Sequence, residues 1–445
     1  MLPTEALSAL YEYILIISCL LIVAGSILLT FKMNFIQLRL IPSLFGMLKA
    51  SYAKTDRDEK ANTILPHKAL FTAMSTTLGI GTIVAPVIAI HLGGPGSLIG
   101  FLLTSFFGSA ATYAEVNLCI KHRKKTDSGI IMGGPMQYIQ SIISPAAAKW
   151  YALFCFLLMT AWCGAQSNQL AAILDSHLLG DYRIPKIVSG GVLATLILII
   201  LMGGIKRISA LSSKLVPMMF VLYLGSSLWI LGLNLDKMGA IFSEIFYSAL
   251  NPYQMASGVL VGGIFSSLRW GVFKGIHANE AGIGTQTIPH SMAETNNASE
   301  QATLAMLSTF TAGLVAFISG CVALLTRTWE DPSLPLGINM VAASFHIYFP
   351  TIGIAIVSMA VLLFAFGTIL GNSYNGSQCF NYLTNNKGTH YYFFGTGIIV
   401  FLGALAEVQT FWAFTDLILA FMTLIHMSTL MINAFKKKEV LVTEN

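Results

Sequence analysis

Apolar residues in this chain neither alternate with polar ones at a spacing of two nor sort onto one helix face; they run on for about 20 residues at a time. Eleven such runs stand out, at roughly 13–31, 69–92, 97–120, 150–174, 187–204, 212–233, 257–288, 301–326, 350–372, 391–407 and 409–434. At about 1.5 Å of rise per residue, about 20 helical residues cross the roughly 30 Å of hydrocarbon in a bilayer. The pattern predicts an all-α integral membrane protein of eleven transmembrane helices. Composition agrees: 55% of the 445 residues are apolar and 10% charged, where a soluble domain carries about 25% charged residues. The lipid bilayer is therefore one partner, and the net charge of +5 is too small and scattered to suggest nucleic acid.

The charges set orientation. No Lys or Arg precedes the first run, which Glu5 and Glu12 flank, so it reads as a true helix rather than a cleaved leader. Threading the eleven spans places nineteen of the 25 Lys and Arg on one side and four on the other. By the positive-inside rule the N-terminus is outside and the C-terminus cytoplasmic. The Lys121–Lys125 run reads as an anchor on the inner face, and Glu115, close to Lys121 and Arg123, as a structural ion-pair or helix-packing residue outside the site. The six cysteines form no CxxC pair and signal neither a disulfide frame nor a metal site. No HExxH or GxSxG marks an enzyme, no cofactor motif is present, and no repeated filter marks a channel.

Two spans are interrupted. The second carries LGIG, with Gly79 and Gly81 at mid-run and Pro86 beyond; the seventh carries Gly275, Gly282 and Gly284 around Asn279 and Glu280. Each glycine costs a helix about 1 kcal/mol, and two clusters at mid-depth predict two unwound helices facing one site. The breaks open two sets of five spans, which flip orientation on repetition. The predicted layout is an extra N-terminal helix and linker (1–67), a first five-helix repeat (68–233), a second inverted repeat (234–434) and a short tail (435–445). Paired broken helices in two such halves point to a secondary transporter binding its cargo at the membrane midplane. Freed N–H groups can hold a carboxylate and freed carbonyls a cation, so an amino acid zwitterion and an ion fit a site with few charged side chains.

At KGIHANEAGIGT, Lys274 to Thr285, the chain resembles the alanine or glycine:cation symporter (sodium:alanine symporter) family, whose pattern is near RGxFSNEAGxGS. LGIG, LGGPG (Leu92–Gly96), GGPMQYI (Gly133–Ile139), GAQSN (Gly164–Asn168), His290, LFAFGTIL (Leu363–Leu370) with Tyr374, and TDLILA (Thr415–Ala420) extend the resemblance across the chain. It implies a leucine-transporter-type fold in a bacterial inner membrane. The implied activity is symport of a small neutral amino acid, alanine or glycine first, with sodium as the usual coupling ion. Protons, another amino acid, or sensing without transport are the alternatives, and a monomer is expected. The departures fall in the implied pocket. Ile80 and Thr82 stand where the family reads Thr or Ser and Asn, His277-Ala278 replace Phe-Ser, and Gly367 replaces the first of two threonines.

The resemblance implies a sodium site of carbonyls near Ser75 and Leu78 with the Thr368 hydroxyl. It also places Gln166 at the substrate, although a Gln there could simply bond a neighbouring helix. The expected substrate-binding set is Gly79, Ile80, Gly81, Thr82, Gln166, His277, Asn279, Gly282 and Gly284. Glu280 is expected to brace the unwound N–H groups rather than touch cargo. His277, able to donate and accept near neutral pH, invites proton coupling or altered specificity; bonding a neighbour is the plainer alternative. Asp416, seven residues into the last span, calls for a partner. Lys274 is the first choice and Arg269 the second, as a latch over the site, unless Asp416 lies at the water interface.

Overall fold

The computed structural model describes residues 4–53, 63–125, 131–176, 179, 182–250, 263–406 and 408–437. The chain opens with α1 (Thr4–Lys32), α2 (Ile36–Tyr52), α3 (Pro66–Thr77), α4 (Ile80–Gly93) and α5 (Ser97–His122). A two-residue antiparallel pair, β1 (Lys124–Lys125) and β2 (Ile131–Met132), precedes α6 (Pro135–Ile142), α7 (Pro145–Leu174), α8 (Lys186–Leu201) and α9 (Gly204–Met219). Then come α10 (Gly225–Gly232), α11 (Leu235–Leu250), α12 (Gly263–Asn279), α13 (Thr287–Ser291) and α14 (Ala298–Thr326). The last four are α15 (Ile338–Tyr348), α16 (Gly353–Thr384), α17 (Thr389–Leu405) and α18 (Val408–Ile432).

Among the described residues, eight helical segments are long and apolar enough to cross a membrane, while Lys186–Leu201 and Thr389–Leu405 are apolar but shorter. The run expected at 257–288 is not one helix. It is α12, a seven-residue loop and the single turn of α13, and its first residues, 257–262, lie outside the described residues. The expected loops also hold structure: α2, α6, α11 and α15 lie between the long apolar runs, where a search for 20-residue spans does not look.

The pair α3 and α4 is almost wholly buried. Around it α5 packs on α12 and α14, α7 packs on α16, α17 and α18, and α1 leans on α5 and α18. Lipid offers no hydrophobic drive between helices, so contact depends on close approach at small residues. Gly100 and Gly271 make one such crossing: a Cβ on Gly271 would sit 2.0 Å from the Ser97 carbonyl oxygen, and one on Gly100 2.5 Å from the Gly271 backbone. Gly403 and Gly164 make another, at 2.5 Å.

Because the Gly271 neighbour is backbone and cannot swing away, Gly271→Val is expected to cost at least about 1–3 kcal/mol. It should lower the melting temperature and the monodisperse yield in detergent. Gly239→Ala, where a Cβ meets nothing within 4 Å, should leave both unchanged; equal behaviour of the two variants would contradict the packing argument.

Candidate binding site between two broken helices

The first break is short. Leu78 leaves helical geometry at φ −93°, ψ 64°, and Gly79 is extended at φ −95°, ψ −176° before α4 begins. Side chains take over the backbone's lost partners. Thr82 Oγ1 donates to the Thr77 carbonyl at 2.6 Å, and the Ile80 N–H donates to Gln166 Oε1 on α7 at 3.0 Å. A Cβ on Gly79 would lie 2.8 Å from Thr368 Oγ1 and 3.0 Å from Gln166 Nε2, so a glycine is needed where α7 and α16 close on the break. Thr368 Oγ1 donates to the Ser75 carbonyl at 2.9 Å. That brings together two of the three expected cation ligands; the third, Leu78, is the residue at which α3 ends, where carbonyls lose their helical partners.

The second break, residues 280–286, is longer and turns on three left-handed residues: Glu280 (φ 53°), Gly282 (φ 76°) and Gly284 (φ 91°). Its polar backbone is satisfied from four other helices. His426 Nδ1 donates to the Gly282 carbonyl at 2.8 Å, the Tyr151 hydroxyl to Ile283 at 2.7 Å and Asn375 to Thr285 at 3.4 Å. The Gly284 N–H donates to Glu115 Oε2 at 3.1 Å. Asn279 and Gln286 close the loop locally: the Ala281 N–H donates to Asn279 Oδ1 at 3.1 Å, and Gln286 Nε2 to the Asn279 carbonyl at 2.8 Å.

Between the two breaks lies a cavity of about 40 Å³. Thr76, Thr77, Gly79, Gly81 and Thr82 line it from α3 and α4, Trp162 and Gln166 from α7, Lys274, His277 and Glu280 from α12 and its break, and Thr368 and Asn372 from α16. A larger cavity of about 510 Å³ lies between α1, α5 and α12. Its walls are apolar but for Ser26, Thr104, Arg269 and Asn279, so it lacks the converging polar groups of the smaller one.

Of the residues expected at the cargo, Gly79, Gly81, Thr82, Gln166 and His277 surround the smaller cavity, with Ile80 presenting its N–H to Gln166. Asn279, Gly282 and Gly284 stand away from it. The Asn279 amide faces Ser105 at 3.4 Å, and the two glycines supply left-handed turns and close approach, a Cβ falling 2.6 Å from Met427 at Gly282 and 2.7 Å from Tyr151 at Gly284. At Glu280, where backbone N–H groups were expected, hydroxyls stand instead: Thr285 donates to its carboxylate and Thr76 lies against it. Glu280 is also among the residues that line the cavity. Asp416 Oδ1 sits 2.9 Å from His277 Nε2, with the pair buried. The Lys274 ammonium lies 5.5 Å and 5.9 Å from the ring centres of Phe273 and Trp270, on the same cavity.

Of the two expectations for Glu115, the structure goes against the ion pair and places the residue in the packing between helices. It does not serve the basic run but turns inward, fully buried, to the Gly284 N–H. Arg123 instead donates to the carbonyls of Ser291 at 2.9 Å and Ala293 at 2.7 Å, and to that of Thr295, capping the chain beyond α13. Sequence reasoning passed over Thr76, Trp162 and Asn372. The last was findable, since it stands four residues from Thr368 and so on the same helix face.

The family model described as the sodium:alanine symporter family matches residues 4–442. The chain is 32% identical over 408 residues to the sodium/alanine symporter AgcS of Methanococcus maripaludis, covering 89% of this chain and 87% of that one. It is 26% identical over 414 residues to the probable sodium/glutamine symporter GlnT of Bacillus subtilis, covering 92% and 83%. Its fold matches that of a Na+-coupled sialic acid symporter with a TM-score of 0.60 at 17% identity, over 89% of this chain and 86% of that one. These findings make it a multi-pass membrane transporter that couples a cation to an amino acid, not an enzyme. The chain belongs to the sodium:alanine symporter family.

Proposed function

We propose that the protein is a secondary active symporter that imports a small neutral amino acid, alanine and glycine being the first to test, together with sodium. The observation that carries this reading is the polar cavity at which both chain breaks meet. The substrate carboxylate docks on the N–H groups opening α4, displacing Gln166 Oε1 from the Ile80 N–H. The amino group meets the carbonyls that end α12 and the Glu280 carboxylate. Sodium, which wants several oxygens, sits among the carbonyls of Ser75 and Leu78 and the Thr368 hydroxyl. Binding there turns the Thr368 proton away from Ser75 and ties α16 to the first break. The bundle then rocks around the fixed site. In this reading the monomer sits in a bacterial inner membrane, N-terminus outside, with 68–233 and 234–434 as inverted halves.

A second coupling ion has one specific observation in its favour. His277 Nδ1 lies 3.0 Å from the Phe273 carbonyl, which only accepts, so Nδ1 carries a proton. Nε2 and Asp416 Oδ1, 2.9 Å apart, then share a further proton or repel. In this reading the pair, with Lys274 and Glu280 on the same cavity, is a latch beside the cargo that also carries the coupled proton.

Proteoliposomes carrying the full chain should accumulate labelled amino acid when an inward sodium gradient is imposed. Binding without accumulation would mean a sensor, and neither would remove the carrier reading. Thr368→Val should raise the sodium concentration for half-maximal uptake by roughly tenfold or more; an unchanged sodium requirement would move the ion elsewhere. If a proton travels too, Asp416→Asn and His277→Asn should abolish stimulation by an inward proton gradient while sodium stimulation persists. Stimulation left intact in both variants rules out the latch as a proton carrier.

A further inference from the structure

The Asn372 side chain is fully buried, lines the cavity between the two breaks, and makes no hydrogen bond through either Oδ1 or Nδ2 among the described residues. A buried amide offers two donors and an acceptor, and in folded proteins these are almost always satisfied. Here both ends of the amide wait on something that enters the cavity.

On the symporter reading above, the two ends of an amino acid already have partners. The carboxylate takes the N–H groups at the start of α4, and the ammonium takes Glu280 and the end of α12. What remains near Asn372 is the substrate's side chain. Four residues earlier on the same face, Thr368 is engaged with the Ser75 carbonyl at 2.9 Å, so α16 gives one hydroxyl to the first break and, a turn further on, has at the cavity lining a residue whose amide is without a protein partner.

We propose that Asn372 reads the substrate's side chain, and that the preferred cargo is a neutral amino acid bearing a hydroxyl or a carboxamide rather than alanine or glycine. A methyl group or hydrogen would seal the amide into a closed pocket with both atoms unpaired. A hydroxyl can donate to Oδ1 or accept from Nδ2, and a carboxamide can do both at once. Sites built to bond a polar group discriminate strongly against analogues that lack it, because the unpaired protein group is left behind.

The test is sodium-driven uptake by the full chain in proteoliposomes, with labelled serine, threonine, asparagine, glutamine, alanine and glycine compared by kcat/KM. The expected result is that at least one polar amino acid exceeds alanine by about tenfold or more. Asn372→Leu, similar in size but unable to hydrogen-bond, should lower the ratio of that value to alanine's by about tenfold. Asn372→Ala, which adds no branch to the pocket, should shift the preference in the same direction. Alanine or glycine matching the best polar substrate in the unaltered protein overturns the proposal, as does an equal loss for all substrates in both variants. Either of those results, with accumulation intact, leaves the symporter reading standing; no accumulation of any amino acid removes both.

Discussion

A peptide group at the middle of a bilayer has no water to bond, so every N–H and C=O that leaves a helix there must find a partner within the protein. The rest of this structure is arranged around that requirement. Seven residues between α12 and α13 abandon helical geometry, and five elements answer them: Glu115 from α5, Tyr151 from α7, Asn375 from α16, His426 from α18, and the loop's own Asn279 and Gln286. A polar residue on each of those apolar helices is explained by the loop it serves. So is the close packing, since a carbonyl held at 2.7 Å or 2.8 Å leaves no room for the donor helix to drift.

The two breaks divide the work unequally. The second takes partners from four other helices. The first is held by fewer bonds, one of them the Ile80 N–H to Gln166, a side chain that lines the cavity and can be exchanged for a carboxylate. On the function proposed here, ion and cargo would act on one element: Thr368 touches Ser75 just before the break, and Gln166 touches Ile80 just after it. Anything that settles one side of residues 78–79 settles the other, which is the physical basis for coupling them.

Much of this was legible in the chain itself. Glycine clusters at mid-run foretold both breaks, because unwinding in lipid is tolerated only at a protected site, and runs of about 20 apolar residues located the long helices. What stayed hidden depends on direction rather than position. Asn279 sits in the most recognisable motif, yet its side chain bends back to cap its own loop. Gly282 and Gly284 supply left-handed turns, and their place in the break said nothing of which way the loop would face. Glu115 lies 169 residues from the N–H it accepts, beyond the reach of any local pattern. Asp416 called for a partner across the bundle, and the structure sets His277 against it at 2.9 Å, with the expected Lys274 on the same cavity. The helices α2, α6, α11 and α15 were missed because they are too short or too polar for a search tuned to spans.

The central claim is that both breaks form one cavity in which an amino acid and a cation bind together. Backbone hydrogen exchange read by mass spectrometry on the purified protein, with and without sodium and amino acid, tests it directly, since exchange reports local opening of the amides concerned. The account predicts that the two ligands together slow exchange at Gly79–Thr82 and at Glu280–Thr285, and that sodium alone slows the first segment. Protection confined to other parts of the chain, or unchanged exchange in both segments when uptake is active, would contradict it.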